Sequence, residues 1–99
     1  MTFAMVPEVV GLAASTQAGL AAETGATAAA VAPAVLAPVP MGLDADSAKF
    51  AAIAAAAGAA HVAIAEQHGL MRGLYSGAQS LAMTTAVATE LMRAAATAI

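Results

Sequence analysis

The chain has no cysteine and no tryptophan, and among its 99 residues only three aromatic and three basic side chains. Without cysteine there is no disulfide framework, no thiolate nucleophile and no zinc ribbon, and the redox compartment cannot be read. The cations Lys49, Arg72 and Arg93, against a net charge of −3, cannot neutralise a phosphate backbone, which excludes nucleic acid as a partner. No residue before Lys49 is basic. The N-terminus therefore lacks the positive region of a secretory signal peptide, and export would need a different route.

What is present is mostly methyl groups. Alanine fills 33 positions, and the chain is 62% hydrophobic but only 9% charged, where soluble chains are about half apolar and a quarter charged. Buried apolar surface returns roughly 25 cal/mol per Å², against about 1.5 kcal/mol per ordered residue. Alanines recover little of that cost, so residues 1–99 read as a single domain with a thin core and a need for a partner.

A mean hydropathy of +0.84 raises the question of a membrane. The longest uncharged stretch, Thr24 to Leu43, is long enough to span a bilayer. It carries Pro33, Pro38 and Pro40 with Gly25 and Gly42, and few residues larger than valine. The stretches Phe50 to Ala65 and Gly73 to Thr89 are short, alanine-rich and without a clear asymmetry of flanking cations. Membrane insertion is not expected, and the hydrophobicity reads as buried protein surface.

Prolines set the organisation. Pro7-Glu8 suits a first helical turn, since proline needs no amide partner there and a carboxylate faces the positive end of the helix dipole. A helix over about 7–37 follows, then a proline-bearing turn over about 38–43. Asp44 is a fitting N-cap, with Asp46 in the first turn of a second helix over about 44–97. Gly69, Gly73 and Gly77 recur every four residues in that helix. At a cost on the order of 1 kcal/mol each, they mark either a close-packing strip or, the preferred reading, a break near 69–77.

Both helices are patterned. In the first, Val6, Val9, Val10, Leu20, Val31 and Val35 share one side, while Gly11, Ala14, Ala18, Ala22, Gly25, Ala29 and Ala32 line the other. Such a helix is built to be covered on both sides. In the second, Phe50, Ile64 and Met71 with Ile53, Leu74 and Leu81 occupy a heptad seam. Six of the nine large apolar residues from Phe50 to Leu81 fall in it. The packing surface is thus assigned to Val9, Leu20, Val31, Val35, Phe50, Ile53, Ile64, Met71, Leu74 and Leu81, without dividing them between hairpin and partner.

Chemistry finds little foothold. His61 and His68 lie seven residues apart, roughly 10 Å along a straight helix, and cannot share one ion. His61 is expected to tuck against the bundle, with Glu66 and His68 in solvent. Capping explains Asp44 and Asp46 better than paired-carboxylate catalysis does. Ser76 has no nucleophile-elbow context, and no phosphate-cradling loop is present. The expectation is a non-enzymatic protein with no catalytic residue, metal or cofactor.

The order of these features resembles the mycobacterial PE family. Pro7-Glu8, an alanine-rich helix, the proline-bearing turn, Asp44-Ala45-Asp46-Ser47 and a second alanine-rich helix carry the resemblance, together with Met1-Thr2-Phe3 and His61-Val62-Ala63. It spans essentially the whole chain. It implies an all-α, antiparallel two-helix hairpin that completes a four-helix-type bundle as an obligate 1:1 heterodimer with a PPE-family protein. The pair would be made in the cytoplasm and exported by the type VII secretion machinery to the cell surface or medium. A secretion chaperone would be engaged only indirectly, through the PPE protein. The family's Tyr-x-x-x-Asp/Glu signal is degenerate here: Tyr75 is followed four residues on by Gln79, and an ungapped comparison from Asp44 places Ala86 at the tyrosine position and Glu90 at the acid. The alternative reading is a membrane-inserted or self-associating alanine-rich hairpin.

Overall fold

The structure, a computed structural model, describes residues 4–98; the Met1-Thr2-Phe3 opening lies outside them. It is all-helical, with α1 over Pro7–Leu36 and α2 over Ala45–Thr97, and no strand among the described residues. The two helices form a hairpin.

Each helix start follows from its local sequence. The Val6 carbonyl accepts hydrogen bonds from the amides of Val9 and Val10 at 3.1 and 3.2 Å, while Pro7 occupies the position where no amide is required. Asp44 caps α2: its carboxylate accepts from the Ser47 amide at 3.0 Å and from the Ser47 hydroxyl at 2.7 Å. The Ser47 hydroxyl and amide, bonded to this carboxylate, hold its pKa below the ordinary 3.8. Gly42 leaves room for this cap: a Cβ there would stand 2.8 Å from the Asp44 Oδ1 and would push the capping carboxylate aside.

Pro33 does not stop α1, which continues through it to Leu36. Its ring removes the bond that the Ala29 carbonyl would have accepted, and Ala29 is exposed, so water can take that place. Nor is there a break near 69–77. α2 is helical without interruption over Ala45–Thr97. The three glycines are separated by good helix formers such as Leu70, Met71 and Leu74 and followed by Ala78. Arg72 and Ser76 also tie this stretch to α1, at Gln17 and Ala14.

The chain divides into two compact units. The turn unit, Ala21–Leu70, holds the second half of α1, the turn and the first half of α2. The terminal unit holds Met1–Leu20 with Met71–Ile99. Inside each, the two helical segments run antiparallel. Val35 faces Gly58 and Ala21 faces Gly69 in the turn unit. In the terminal unit Gln17 meets Arg72, Ala14 meets Ser76, and Gly11 meets Met83.

Small residues build the seam of the turn unit: Ala21, Thr24, Ala28 and Ala32 on α1, and Ala51, Ala54, Gly58, Val62, Ala65 and Gly69 on α2 are buried or half-buried. Approach is closest at Gly58, where a Cβ would collide with the Val35 carbonyl, 2.7 Å from its carbon. The only described hydrophobic residues below one-tenth exposure are Ala14, Ala28 and Ala51.

Candidate partner-binding faces

The large side chains assigned to packing point away from the seam. Phe50, Ile53, Ile64, Met71, Leu74 and Leu81 on α2 are all between 52% and 70% exposed. At 100° per residue Ile53 and Ile64 lie on the side of α2 away from Ala51 and Gly58 in the turn unit, with Phe50 at the flank, and Met71, Leu74 and Leu81 lie away from Ser76 and Met83 in the terminal unit. Of the α1 residues assigned with them, Val35 is half-buried in the seam, whereas Val9, Leu20 and Val31 are exposed. The flat side of α1 divides too. Gly11, Ala14 and Ala32 turn toward α2, and Ala18, Ala22, Gly25 and Ala29 are exposed.

The division has a physical cause. Helix axes can approach closely only where side chains are small, so the small residues claim the intrachain contact and the bulky ones are excluded from it. Sequence periodicity identified the bulky seam but had no means of assigning it to the inside or the outside.

The total accessible surface is 7365 Å², where a compact monomer of 9.5 kDa exposes about 5,000 Å². The excess is on the scale that obligate interfaces bury.

The remaining candidate residues fall on the surface. Pro7 is half-buried and Glu8 exposed at the start of α1. Ala86 is half-buried, and Glu90 is exposed and paired with Arg93 at 3.0 Å. In the terminal unit Pro7, Ala86 and Glu90 line one open cleft of about 560 Å³, together with Met5, Leu91 and Arg93. The N-terminal motif and the degenerate signal, distant in sequence, thus share a surface. Tyr75 is exposed and Gln79 half-buried, and the Gln79 Oε1 is buried without a hydrogen-bond partner. His61 does not tuck against the hairpin; like Glu66 and His68, it is exposed.

Two features escaped the sequence reading. One is the turn, where Val39, Met41 and Leu43 are almost wholly exposed beside a smaller cleft floored by Phe50 and Ala51. Their alternation with Pro38, Pro40 and Gly42 was a usable signal for an extended apolar tip. The other is the polar tie of the terminal unit, in which the Arg72 guanidinium donates to the Gln17 Oε1 at 3.2 Å and the Ser76 hydroxyl to the Ala14 carbonyl at 2.7 Å. No local pattern announces it.

The hydroxyls of Thr16, Thr84, Thr89 and Thr97 donate to carbonyls one turn back in their own helices. They therefore leave methyl groups on the surface. Arranged this way, the described residues offer apolar helix faces for contact and no clustered reactive groups. In comparisons with known proteins, no family model, no curated protein and no solved structure matches this chain.

Proposed function

We propose that this protein is a non-enzymatic, PE-like secretion partner that becomes fully folded by completing a helical bundle with a PPE-family protein in a 1:1 complex. One observation carries the reading. Most of the bulky apolar residues that a self-sufficient hairpin would bury instead face solvent, while the buried hydrophobic residues among those described are alanines. Helical partners carrying an apolar stripe would cover those faces by the packing that joins helices in bundles. The order of Pro7-Glu8, the proline turn and Asp44-Ala45-Asp46-Ser47 favours a PPE protein as that partner and type VII secretion as the route. The cleft at Pro7, Ala86 and Glu90 is the surface from which a signal would be read.

Co-expression with a PPE-family protein, one chain tagged, tests the reading by size-exclusion chromatography with light scattering. A soluble 1:1 complex is expected, with the lone chain insoluble or poorly helical. A lone chain that is monodisperse and fully helical, and indifferent to the PPE protein, overturns it.

A second reading has its own support, since both α1 and α2 contain windows long and apolar enough to cross a membrane, almost unburied. It places charged Glu23, Glu66 and Arg72, and the proline-bearing turn, at odds with a bilayer core. Carbonate extraction of membranes separates the two readings, because only an inserted hairpin stays in the pellet.

A further inference from the structure

We infer that the partner is basic where it covers the turn unit and close to neutral where it covers the terminal unit; the inference rests on the heterodimer reading above. The charges are unevenly placed. Within Ala21–Leu70 stand Glu23, Asp44, Asp46 and Glu66 against Lys49 alone, so this unit holds the whole net charge of −3. In the terminal unit Glu8 and Glu90 balance Arg72 and Arg93.

Their engagement differs as well. Arg93 is paired with Glu90 and Arg72 donates to the uncharged Gln17 amide, so the terminal unit engages both of its cations internally. In the turn unit only Asp44 is occupied, by Ser47. Glu23, Asp46 and Glu66 make no ion pair among the described residues. Asp46 stands one turn before Phe50, at the head of the exposed apolar strip that continues through Ile53 and Ile64.

A body packed on that strip meets Asp46 at its head and displaces part of its water, while Glu66, two residues past Ile64 and so on the other side of α2, and Glu23 on α1 act on it through the net charge of the unit. An acidic or uncharged partner would give nothing in return. Lysines or arginines at the edge of its apolar stripe would supply the missing counter-charge, set the end-to-end register and speed encounter. A second copy of this chain fits poorly, because it would set a net negative unit against another, and an anionic lipid surface fails for the same reason.

The test uses the co-expressed 1:1 complex and reads its dissociation on dilution at about 50 and about 500 mM NaCl, across which screening tightens severalfold. Affinity should be about tenfold higher at the lower salt, and Asp46→Lys, at the head of the strip, should remove most of that gain, with Glu66→Lys on the other side of α2 removing less. Asp46→Asn, with helicity recorded by circular dichroism, separates loss of charge from loss of fold. If the complex forms but ignores both salt and charge reversal, this inference falls while the heterodimer reading stands. If the wild-type chain does not co-elute with the PPE protein, or the lone chain dimerises instead, both fall.

Discussion

The two units solve the same problem, joining two thin helices, by different means. In the turn unit the joint is steric: glycine and alanine let the backbones close to contact at Gly58 and Val35, with no side-chain hydrogen bond between the helices among the described residues. In the terminal unit the joint is partly polar, through Ser76 to Ala14 and Arg72 to Gln17, and it tolerates a buried oxygen on Gln79 without a partner. The difference teaches that a small-residue seam is sensitive to added volume, whereas a polar seam is sensitive to lost partners. Among the described residues neither fully buries a large hydrophobic side chain, and most of the bulky residues lie outward.

The comparison is sharpened first by separating the outward face from the seam. If the proposed complex forms, Ile64→Asp should lower affinity for the partner by about a thousandfold or more, since an unpaired carboxylate would be buried in it. It should leave the lone chain's helicity unchanged, because Ile64 is half exposed there. Retained 1:1 co-elution would remove the outward seam from the interface. Gly58→Val attacks the turn unit itself. Overpacking against the Val35 carbonyl should cost about 1–3 kcal/mol, read as a lower thermal midpoint of the complex; an unchanged midpoint would mean that the close approach is not required.

Ser76→Ala addresses the terminal unit. Loss of the bond to the Ala14 carbonyl should cost about 0.5–1.5 kcal/mol. Amide hydrogen exchange should quicken around Ala14 and Ser76 and not around Gly58; uniform quickening would show that the two joints are not independent. The smallest effect is expected at the Asp44 cap. Its carboxyl pKa is depressed in the folded chain, so its contribution is fully present above the unfolded value, about 3.9, and is lost as pH falls through the folded value. Fraying of the first turn of α2 should therefore appear only below about pH 4, and Asp44→Asn should move that onset. Amide exchange at Ser47 and Ala48 reads it directly.

Much of the scaffold was legible in the sequence because its signals are local. Pro7 and Asp44 announce helix starts through the backbone groups they satisfy or lack, and Pro38, Pro40 and Gly42 announce the turn. The bulky seam was legible as a period. What stayed hidden was relational. Heptad spacing says that Phe50, Ile64 and Leu81 share a side, but not that Ala51, Gly58 and Ala65, with a period just as regular, claim the intrachain contact. Gly58 could have been singled out, since it alone interrupts the alanine run from Ala54 to Ala60. The glycines at 69, 73 and 77 misled for the opposite reason: their cost was real, but it was met by flanking helix formers and by ties from Arg72 and Ser76 that no local window contains. At the candidate signal, sequence placed Ala86 and Glu90 together on α2, but only the fold brings Pro7 to the same cleft.

A hairpin whose buried hydrophobic residues are alanines has a consequence for how long the chain survives. Any species that binds only the folded form adds stability in proportion to the logarithm of its concentration over its dissociation constant. Opening exposes a chain with little intrinsic resistance, so proteolysis will track the unbound fraction. In the proposed complex the shallow seam would therefore act as a stoichiometric meter: copies in excess of the partner would be cleared, and the level of one protein would set that of the other.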